Sequence, residues 1–425
     1  MEEVLGGRMR LLIVTQYFWP ENFRINDLVA ELVRRGHTVT VLTGLPNYPD
    51  GSVFQQFRDN PDAYSCYGEA EIVRVPMLPR AKGGLRLMLN YLSFALSASL
   101  LGIWKLRGRQ FDAIFAYEPS PITVGLPAAL MRAIKRAPMA FWVLDLWPET
   151  LQAVGVVRSR RLLQIVGKLV AFIYGRCDLI LAQSRSFIPQ IRKYACANRR
   201  VEYFPSWAES LFDLEAATPA QEVPQRLGCF NVMFAGNIGD AQDFPAILAA
   251  AERLKQYEHI RWLIIGDGRA ARWVADEIER RGLQDHVLML GRYPVERMPS
   301  FFRHAHALLV SLKDEPIFSM TIPGKLQSYL AAGLPVVAML NGEGADVVKN
   351  AGAGFTCAAG DHVALANGVL ALSQMTDDER RAMGTNARVV SDREFDRDTL
   401  IRRLEHWLGT MSRDNLPPTI SRETQ

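Results

Sequence analysis

The sequence predicts an α/β protein of two doubly wound parallel-sheet domains facing a central cleft, and three observations predict it. Apolar, β-branched runs alternate with helical segments along most of the chain. The alternation breaks once, over residues 203–228, where Pro205, Pro219 and Pro224 interrupt a stretch with no strong apolar period, and then begins again. The chain has 425 residues, 49% hydrophobic and 22% charged, which is an ordinary globular composition spread over too much length for one compact core.

The elements follow in order. MRLLIVT, residues 9–15, is a continuous apolar strand, and NDLVAELVRR, residues 26–35, is a helix that stops at Gly36. HTVTVLT, centred on 39–43, is the second strand, followed by EIVRVP, an uncharged helix over 87–104, DAIFAY, a helix near 127–136, AFWVLDL, a long helix around 162–174, and CDLILAQS. The second half repeats the scheme: FNVMFAG, a helix over 245–255, IRWLIIGDG, a helix to Arg281, HVLMLG, a helix near 298–302, HALLVSL, a helix over 325–332, LPVVAML and AGFTC. Residues 376–408 read as helices. The division is then a first domain at 1–205, a linker at 206–228, a second domain at 229–385, closing helices at 386–410 that pack back towards the first domain, and a mobile tail at 411–425.

Charge is nearly balanced, 49 basic against 45 acidic residues, so no nucleic-acid partner is expected. The five cysteines match neither a disulfide framework nor a zinc pattern, and His304 and His306 lack a third ligand, so the reading is a reduced, cytoplasmic compartment with no metal. Charge is uneven locally. No acidic residue occurs between Glu71 and Asp112, while Arg74, Arg80, Lys82, Arg86, Lys105, Arg107 and Arg109 bracket the uncharged 87–104 stretch. As a helix that stretch is roughly 27 Å long. It fits a helix lying in a membrane interface, a buried core helix or a spanning helix. A second acid-free stretch, 150–177, holds Arg158, Arg160, Arg161, Lys168 and Arg176; if both share a face, they suit an anionic membrane surface.

The loops after the strands should carry function. QYFWPENFRIND follows the first strand without a glycine, which argues against a dinucleotide cofactor there. Its Asn22, Arg24 and Asn26 beside a helix start either cap the helix or meet an anionic or hydroxylated ligand. VLDLWPET brings Asp145, Trp147 and Glu149 to the same end: the acids either do acid/base work or cap a helix, and the indole either stacks on a sugar or plugs the domain. In the second half, Gly236 and Gly239 lie between strand and helix, an arrangement that lets backbone amides approach a phosphate. Gly266 and Gly268 sit likewise after the next strand, bordering a nucleotide base or making a tight turn. SMTIPGKLQSYLAAG is more informative. Thr321, Pro323 and Lys325 open a helix that Gly333 ends, and a lysine in a first helical turn is unfavourable unless an anion is supplied. A helix N-terminus and an ammonium there form a diphosphate site in physical terms. Glu343, among glycines, either accepts from ligand hydroxyls or caps the next helix.

Taken together, QYFWPENFRIND, the GHTVTVLTGLPNYPDG stretch, DLWPE, GNIGDAQDF, GDG, IPGKLQSYLAAGLPVVA and NGEGADVV resemble the family 4 retaining glycosyltransferases of GT-B fold, with two Rossmann-like domains. Within that family the chain is most similar to the bacterial N-acetyl-L-fucosamine transferases of surface-polysaccharide synthesis. The resemblance implies a nucleotide-sugar on the second domain, first of all a UDP-linked N-acetyl-L-fucosamine or related N-acetylhexosamine. It implies a polyprenyl-diphosphate-linked oligosaccharide acceptor on the first domain, in O-antigen (lipopolysaccharide), capsule or exopolysaccharide synthesis. It also implies transfer with retention, no cofactor and no metal, and a peripheral position on the cytoplasmic face of the bacterial plasma membrane. Two places depart from the family pattern. Met320 and Ser328 stand where many members carry paired glutamates, and Asn237 and Gln242 where an Arg and a Lys bind the diphosphate. Charge stabilisation then falls to Lys325 and the backbone at Gly236 and Gly239, with Asn237, Gly266, Gly268, Thr321 and Glu343 (or Glu315) completing the donor site. Asp145 and Glu149 join Lys325 as catalytic candidates, and Asn22, Arg24, Asp145 and Trp147 form the acceptor side. A sugar-nucleotide 2-epimerase on the same fold, or a non-catalytic subunit of a transferase complex, are the alternatives.

Overall fold

The computed structural model describes residues 7–48, 51–80, 84–153, 159–208, 211–212 and 214–414. Lys82, Arg158 and residues 415–425 of the expected tail lie outside them, while 411–414, expected as the start of that tail, continue the last helix. The chain divides into two compact units, Met1–Phe204 with Asp398–Gln425, and Pro205–Arg397.

The first unit is built on one sheet of eight strands: β1 (Arg10–Val14), β2 (Thr38–Thr43), β3 (Cys66–Tyr67), β4 (Ala70–Arg74), β5 (Ala113–Glu118), β6 (Met139–Val143), β7 (Leu179–Ala182) and β8 (Arg200–Tyr203). Their spatial order is β3-β4-β2-β1-β5-β6-β7-β8, parallel except for the antiparallel β3–β4 pair. Central strands are buried along their whole length because helices cover both faces, and this is why they read as unbroken apolar runs. Sequence reasoning missed the two edge strands. β3 has two residues, and β8, RVEY, alternates charged and apolar residues at an exposed edge, leaving too little apolar signal. The connection through the Arg24–Arg34 helix steps one way along the sheet, from β1 to β2. Those through Gly84–Lys105, Gly125–Lys135 and Arg160–Tyr174 step the other way, so right-handed crossovers put these three helices together on the opposite face. The Gly84–Lys105 helix begins three residues before the uncharged stretch that predicted it.

The last helix, Arg397–Asp414, belongs to this unit, and ion pairs tie it down. Arg35 reaches Glu405 at 3.0 Å and Asp398 at 3.1 Å. His37 Nδ1 accepts from the Met9 amide, which leaves the proton on Nε2 to be donated to Glu405 at 2.8 Å.

The second unit holds β9 (Phe230–Ala235), β10 (Ile260–Ile265), β11 (Val287–Gly291), β12 (Ala307–Ser311), β13 (Val336–Met339) and β14 (Gly354–Cys357), ordered β11-β10-β9-β12-β13-β14 and all parallel. Phe234, Trp262 and Tyr329 are among its largest fully buried side chains. His304 donates to Ala220 O and His306 Nδ1 accepts from the Asn231 amide, so both histidines of the HxH pair serve the packing at the amino ends of the strands.

Candidate functional site

In the second unit every βα loop leaves the sheet at one edge, because all six strands run parallel. After β9, Gly236 adopts φ +144°, and its amide donates to Ile265 O at 2.9 Å. The loop after β10 locks into it: Ile238 N–H donates to Asp267 O and Ala270 N–H to Ile238 O. Side chains would break this interlock. A Cβ on Gly266 would lie 1.8 Å from Gly236 O, and one on Gly268 would lie 2.3 Å from Ile238 O. The glycines are therefore needed for loop-on-loop approach, both at φ values that disfavour any other residue. The Gly239 amide is bound by Gln242 Oε1 at 3.2 Å. The two amides read from the sequence as a phosphate cradle are thus engaged inside the chain, and the feature Gly236 offers a ligand is its open surface.

Lys325 supplies the charge at that surface. It is the second residue of the Gly324–Ala332 helix, and its Nζ stands 3.1 Å from where a Cβ on Gly236 would be. The ammonium is shielded from solvent, has no hydrogen-bond partner among the described residues, and lies 3.7 Å from the centroid of the Phe234 ring. Burial pushes its pKa down to about 7. A desolvated cation, a helix N-terminus and a glycine backbone converging on one point stabilise an anion. Tyr329, one turn along, fixes this helix: its hydroxyl accepts from Ala235 N–H at 2.9 Å and donates to Ala235 O at 3.1 Å. Tyr329 was missed in the sequence because an aromatic on an apolar helix face reads as core.

Glu343 opens the Glu343–Ala351 helix immediately after Gly342, which has φ +73° and passes so close to Ser319 that a Cβ would lie 1.9 Å from its carbonyl oxygen. At Gly344 a Cβ would lie 3.1 Å from Pro323 Cδ, so the helix starts of Glu343 and Lys325 are neighbours on the edge. The Thr321 hydroxyl donates to Ile317 O at 2.9 Å and closes the preceding turn. Beside Gly239 a cavity of about 320 Å³ is lined by Arg269, Trp273 and Lys313, residues in loop and helix positions that carry no motif.

The first unit's strand ends have a different chemistry. Asp145 accepts from Thr150 Oγ1 and, at 3.1 Å, from Trp147 Nε1, and its amide donates to Glu118 Oε2 at 3.3 Å. Glu118 ends β5, is wholly buried, and its Oε1 has no partner among the described residues. Burial raises the pKa of Asp145 and raises that of Glu118 further, Asp145 adding to the Glu118 shift. Two acids this close in a dry site favour a proton on Glu118. Glu149 starts the Glu149–Ala153 helix and meets the Tyr194 hydroxyl at 3.4 Å. Trp147 is buried against Tyr91 of the Gly84–Lys105 helix, with ring centroids 6.3 Å apart, which places it as a plug.

Nearby, Asn22 is exposed, Arg24 begins its helix half-buried, and Asn26 donates to Glu21 O at 2.7 Å, tying the helix's first turn to the loop before it without capping the helix. The organising residue here is Glu21, which sequence reasoning passed over. Its carboxylate accepts from the amides of Phe18, Asn47 and Tyr48 at 2.7–3.2 Å, and burial lifts its pKa to about 7. Above it Tyr17 stacks on Phe23 at 5.4 Å, Tyr48 packs on both, and Arg80 lies over Tyr48 at 5.3 Å. Gln16 donates to Asn90 at 2.8 Å, so the helix that carries Tyr91 joins the Asn22–Arg24 loop to the Asp145–Trp147 loop.

Comparison with known proteins agrees with this division. Residues 22–207 match the family "Glycosyl transferase 4-like domain", and residues 224–390 match "Glycosyl transferases group 1". The chain is 23% identical over 347 residues to "Putative colanic acid biosynthesis glycosyl transferase WcaI" of Escherichia coli, spanning 76% of this chain and 82% of that one. Among solved structures, HepE of Anabaena in complex with UDP and glucose superimposes with a TM-score of 0.66 at 15% identity, covering 95% of this chain and 100% of that one. WaaG, a glycosyltransferase of lipopolysaccharide biosynthesis, gives 0.67 at 14% identity, covering 94% and 99%. The chain is accordingly a glycosyltransferase of GT-B fold, with a glycosyl transferase 4-like domain followed by a glycosyl transferases group 1 domain.

Proposed function

We propose that this glycosyltransferase moves a sugar with retention from a UDP donor, held by the second unit, onto a polyprenyl-diphosphate-linked oligosaccharide bound by the first, in the synthesis of a bacterial surface polysaccharide. The observation that carries the reading is the desolvated Lys325 ammonium against Gly236 and a helix N-terminus. HepE, solved with UDP and glucose, and the colanic acid and lipopolysaccharide assignments of the similar proteins support donor and pathway class. By resemblance the first sugar to test is N-acetyl-L-fucosamine.

The chemistry asked of Lys325 is charge stabilisation. As the bond from the anomeric carbon to the diphosphate breaks, negative charge grows on the leaving oxygen, and a preorganised cation in a dry site holds it. The acceptor hydroxyl attacks from the same face, its oxygen bonds to the anomeric carbon, and its proton passes to the departing diphosphate. Met320 and Ser328 offer no carboxylate, so this route asks for no protein nucleophile. Asp145 and Glu149 then serve the acceptor side, Asp145 oriented by Thr150 and Trp147.

Calorimetric titration of the protein with a panel of UDP- and GDP-sugars, repeated with Lys325→Ala, tests the reading. A response to one UDP-sugar that the substitution abolishes supports it and directs transfer assays with lipid-linked acceptors. Binding that survives the substitution overturns the site. Conversion of UDP-N-acetylglucosamine without acceptor makes the protein an epimerase instead.

A further inference from the structure

Three helices of the first unit share one face of the sheet: Gly84–Lys105 packs beside Gly125–Lys135, and that helix beside Arg160–Tyr174. None of the three contains an aspartate or glutamate. The Arg24–Arg34 helix on the other face carries Asp27 and Glu31, so the absence of acids belongs to this face alone.

The inner side of the Gly84–Lys105 helix is fixed to the domain. Phe94 and Ala98 are fully buried, and a Cβ on Gly102 would lie 3.0 Å from Leu42 and 3.2 Å from Met131. It is the one helix among the described residues long and apolar enough to cross a membrane, yet this packing holds it against the sheet and rules out an independent span. Its outer side is apolar as well. Leu92, Leu96, Leu100 and Trp104 recur every four residues and so form one line, with Leu96 64%, Leu100 69% and Trp104 60% exposed. The neighbouring helices extend the surface with Leu130 and Ile134, then with Phe172 and a 63% exposed Ile165. Cations sit beside these apolar groups. Arg107 lies 4.7 Å over the Trp104 ring and Arg176 4.9 Å over that of Phe172, while Lys105 and Arg107 line a shallow groove of about 490 Å³ where the helix ends, whose one acid, Glu71, is paired with Arg109. Apolar bodies with basic heads beside them match a headgroup layer, in which hydrocarbon lies below and phosphate at the surface.

We propose that this three-helix face docks the protein on an anionic phospholipid bilayer, with Leu92, Leu96, Leu100 and Trp104 entering the interface and the surrounding arginines and lysines meeting lipid phosphate. Docking needs neither Lys325 nor a donor, so it stands apart from the transferase reading and is tested apart from it.

The test is co-sedimentation with vesicles of phosphatidylcholine, with and without phosphatidylglycerol. The wild type is expected to sediment with the anionic vesicles, less so as salt rises, and Leu96→Glu/Leu100→Glu to lower that binding about tenfold or more. Because both leucines are exposed, melting temperature and UDP-sugar titration should not change in the variant. As a second reading, brominated lipid should quench wild-type tryptophan fluorescence more than that of Trp104→Phe. Equal sedimentation of wild type and variant, no sedimentation of the wild type, or no Trp104-dependent quenching overturns the proposal. A wild-type dimer that the double substitution dissociates also overturns it, assigning the face to a second copy of the chain.

Discussion

The carboxyl edges of the two sheets solve opposite electrostatic problems. At the second unit's edge the decisive group is a cation with no hydrogen-bond partner among the described residues: the Lys325 ammonium is shielded from solvent, rests on the Phe234 ring, and has its pKa lowered to about 7. At the first unit's edge acids predominate, with Arg74 beside Glu21, and apart from Glu118 Oε1 protein groups occupy most of their oxygens: three amides on Glu21, and Thr150 and Trp147 on Asp145. An unpartnered buried cation costs stability and gains by binding an anion; a satisfied carboxylate orders loops and leaves its neighbours to meet a hydroxylated ligand. The contrast teaches that the fold repeats while the function does not, and the divergence lies in which polar atoms are left unsatisfied.

The largest effect should come from removing the orphaned cation. Lys325→Ala is expected to lower turnover by about 10²-fold or more, read in a transfer assay at saturating acceptor. Lys325→Met sharpens the comparison, because it separates function from stability. The folded-state pKa of Lys325 lies below its unfolded value, so the native state binds fewer protons between pH 7 and the unfolded pKa. Stability therefore rises with pH through that window, and the penalty is complete below it. Replacing the ammonium with a thioether should raise stability at pH 7 by about 1–2 kcal/mol while abolishing donor binding. A less stable Lys325→Met protein would break the contrast between the two edges.

Tyr329→Phe should come next. It leaves the Ala235 amide and carbonyl without their partner in a buried place, costing roughly 1–3 kcal/mol in denaturant unfolding of the second unit. By loosening the helix that carries Lys325 it should also weaken donor binding. Donor affinity itself should depend on pH with a defined sign. A UDP-sugar favours the protonated lysine and raises its pKa, so affinity is flat below pH 7 and falls by up to about tenfold per unit above it. Calorimetry in buffers of different ionisation enthalpy near pH 8 should show proton uptake on binding to the wild type.

The sheets were legible because both-face burial writes strands as apolar runs, and the break at residues 203–228 was legible because prolines interrupt them. At the second unit's edge Lys325 stood out, since a lysine in a first helical turn conflicts with local propensity and so points to a ligand. Glycine positions were visible but their use was not. That Gly266 and Gly268 serve the approach of two loops, and that the Gly236 amide is engaged inside the chain, depends on distances between segments about thirty residues apart, while the Gly239 amide is taken up locally by Gln242. Glu118, Glu21 and Tyr329 were invisible for a related reason. Each lies in a strand, a loop or a helix where its residue type has an ordinary explanation, and only burial together with its partners makes it special.

Glu118 gives the smallest effect and the most direct check on the acidic edge. Its pKa is raised in the folded state, so between the unfolded pKa and the folded one the native protein binds the extra proton. Stability from this group is complete at low pH and is lost as pH rises, the reverse of a salt-bridged carboxylate. Asp145, shifted in the same direction, adds to the loss. Glu118→Gln keeps an acceptor for the Asp145 amide and removes the ionisation, so the variant should lose less stability than the wild type between pH 5 and pH 8, with slopes differing by at most about 1.4 kcal/mol per pH unit. Parallel slopes in urea unfolding would mean that Glu118 ionises freely, and the two edges would then differ only in the sign of their charge.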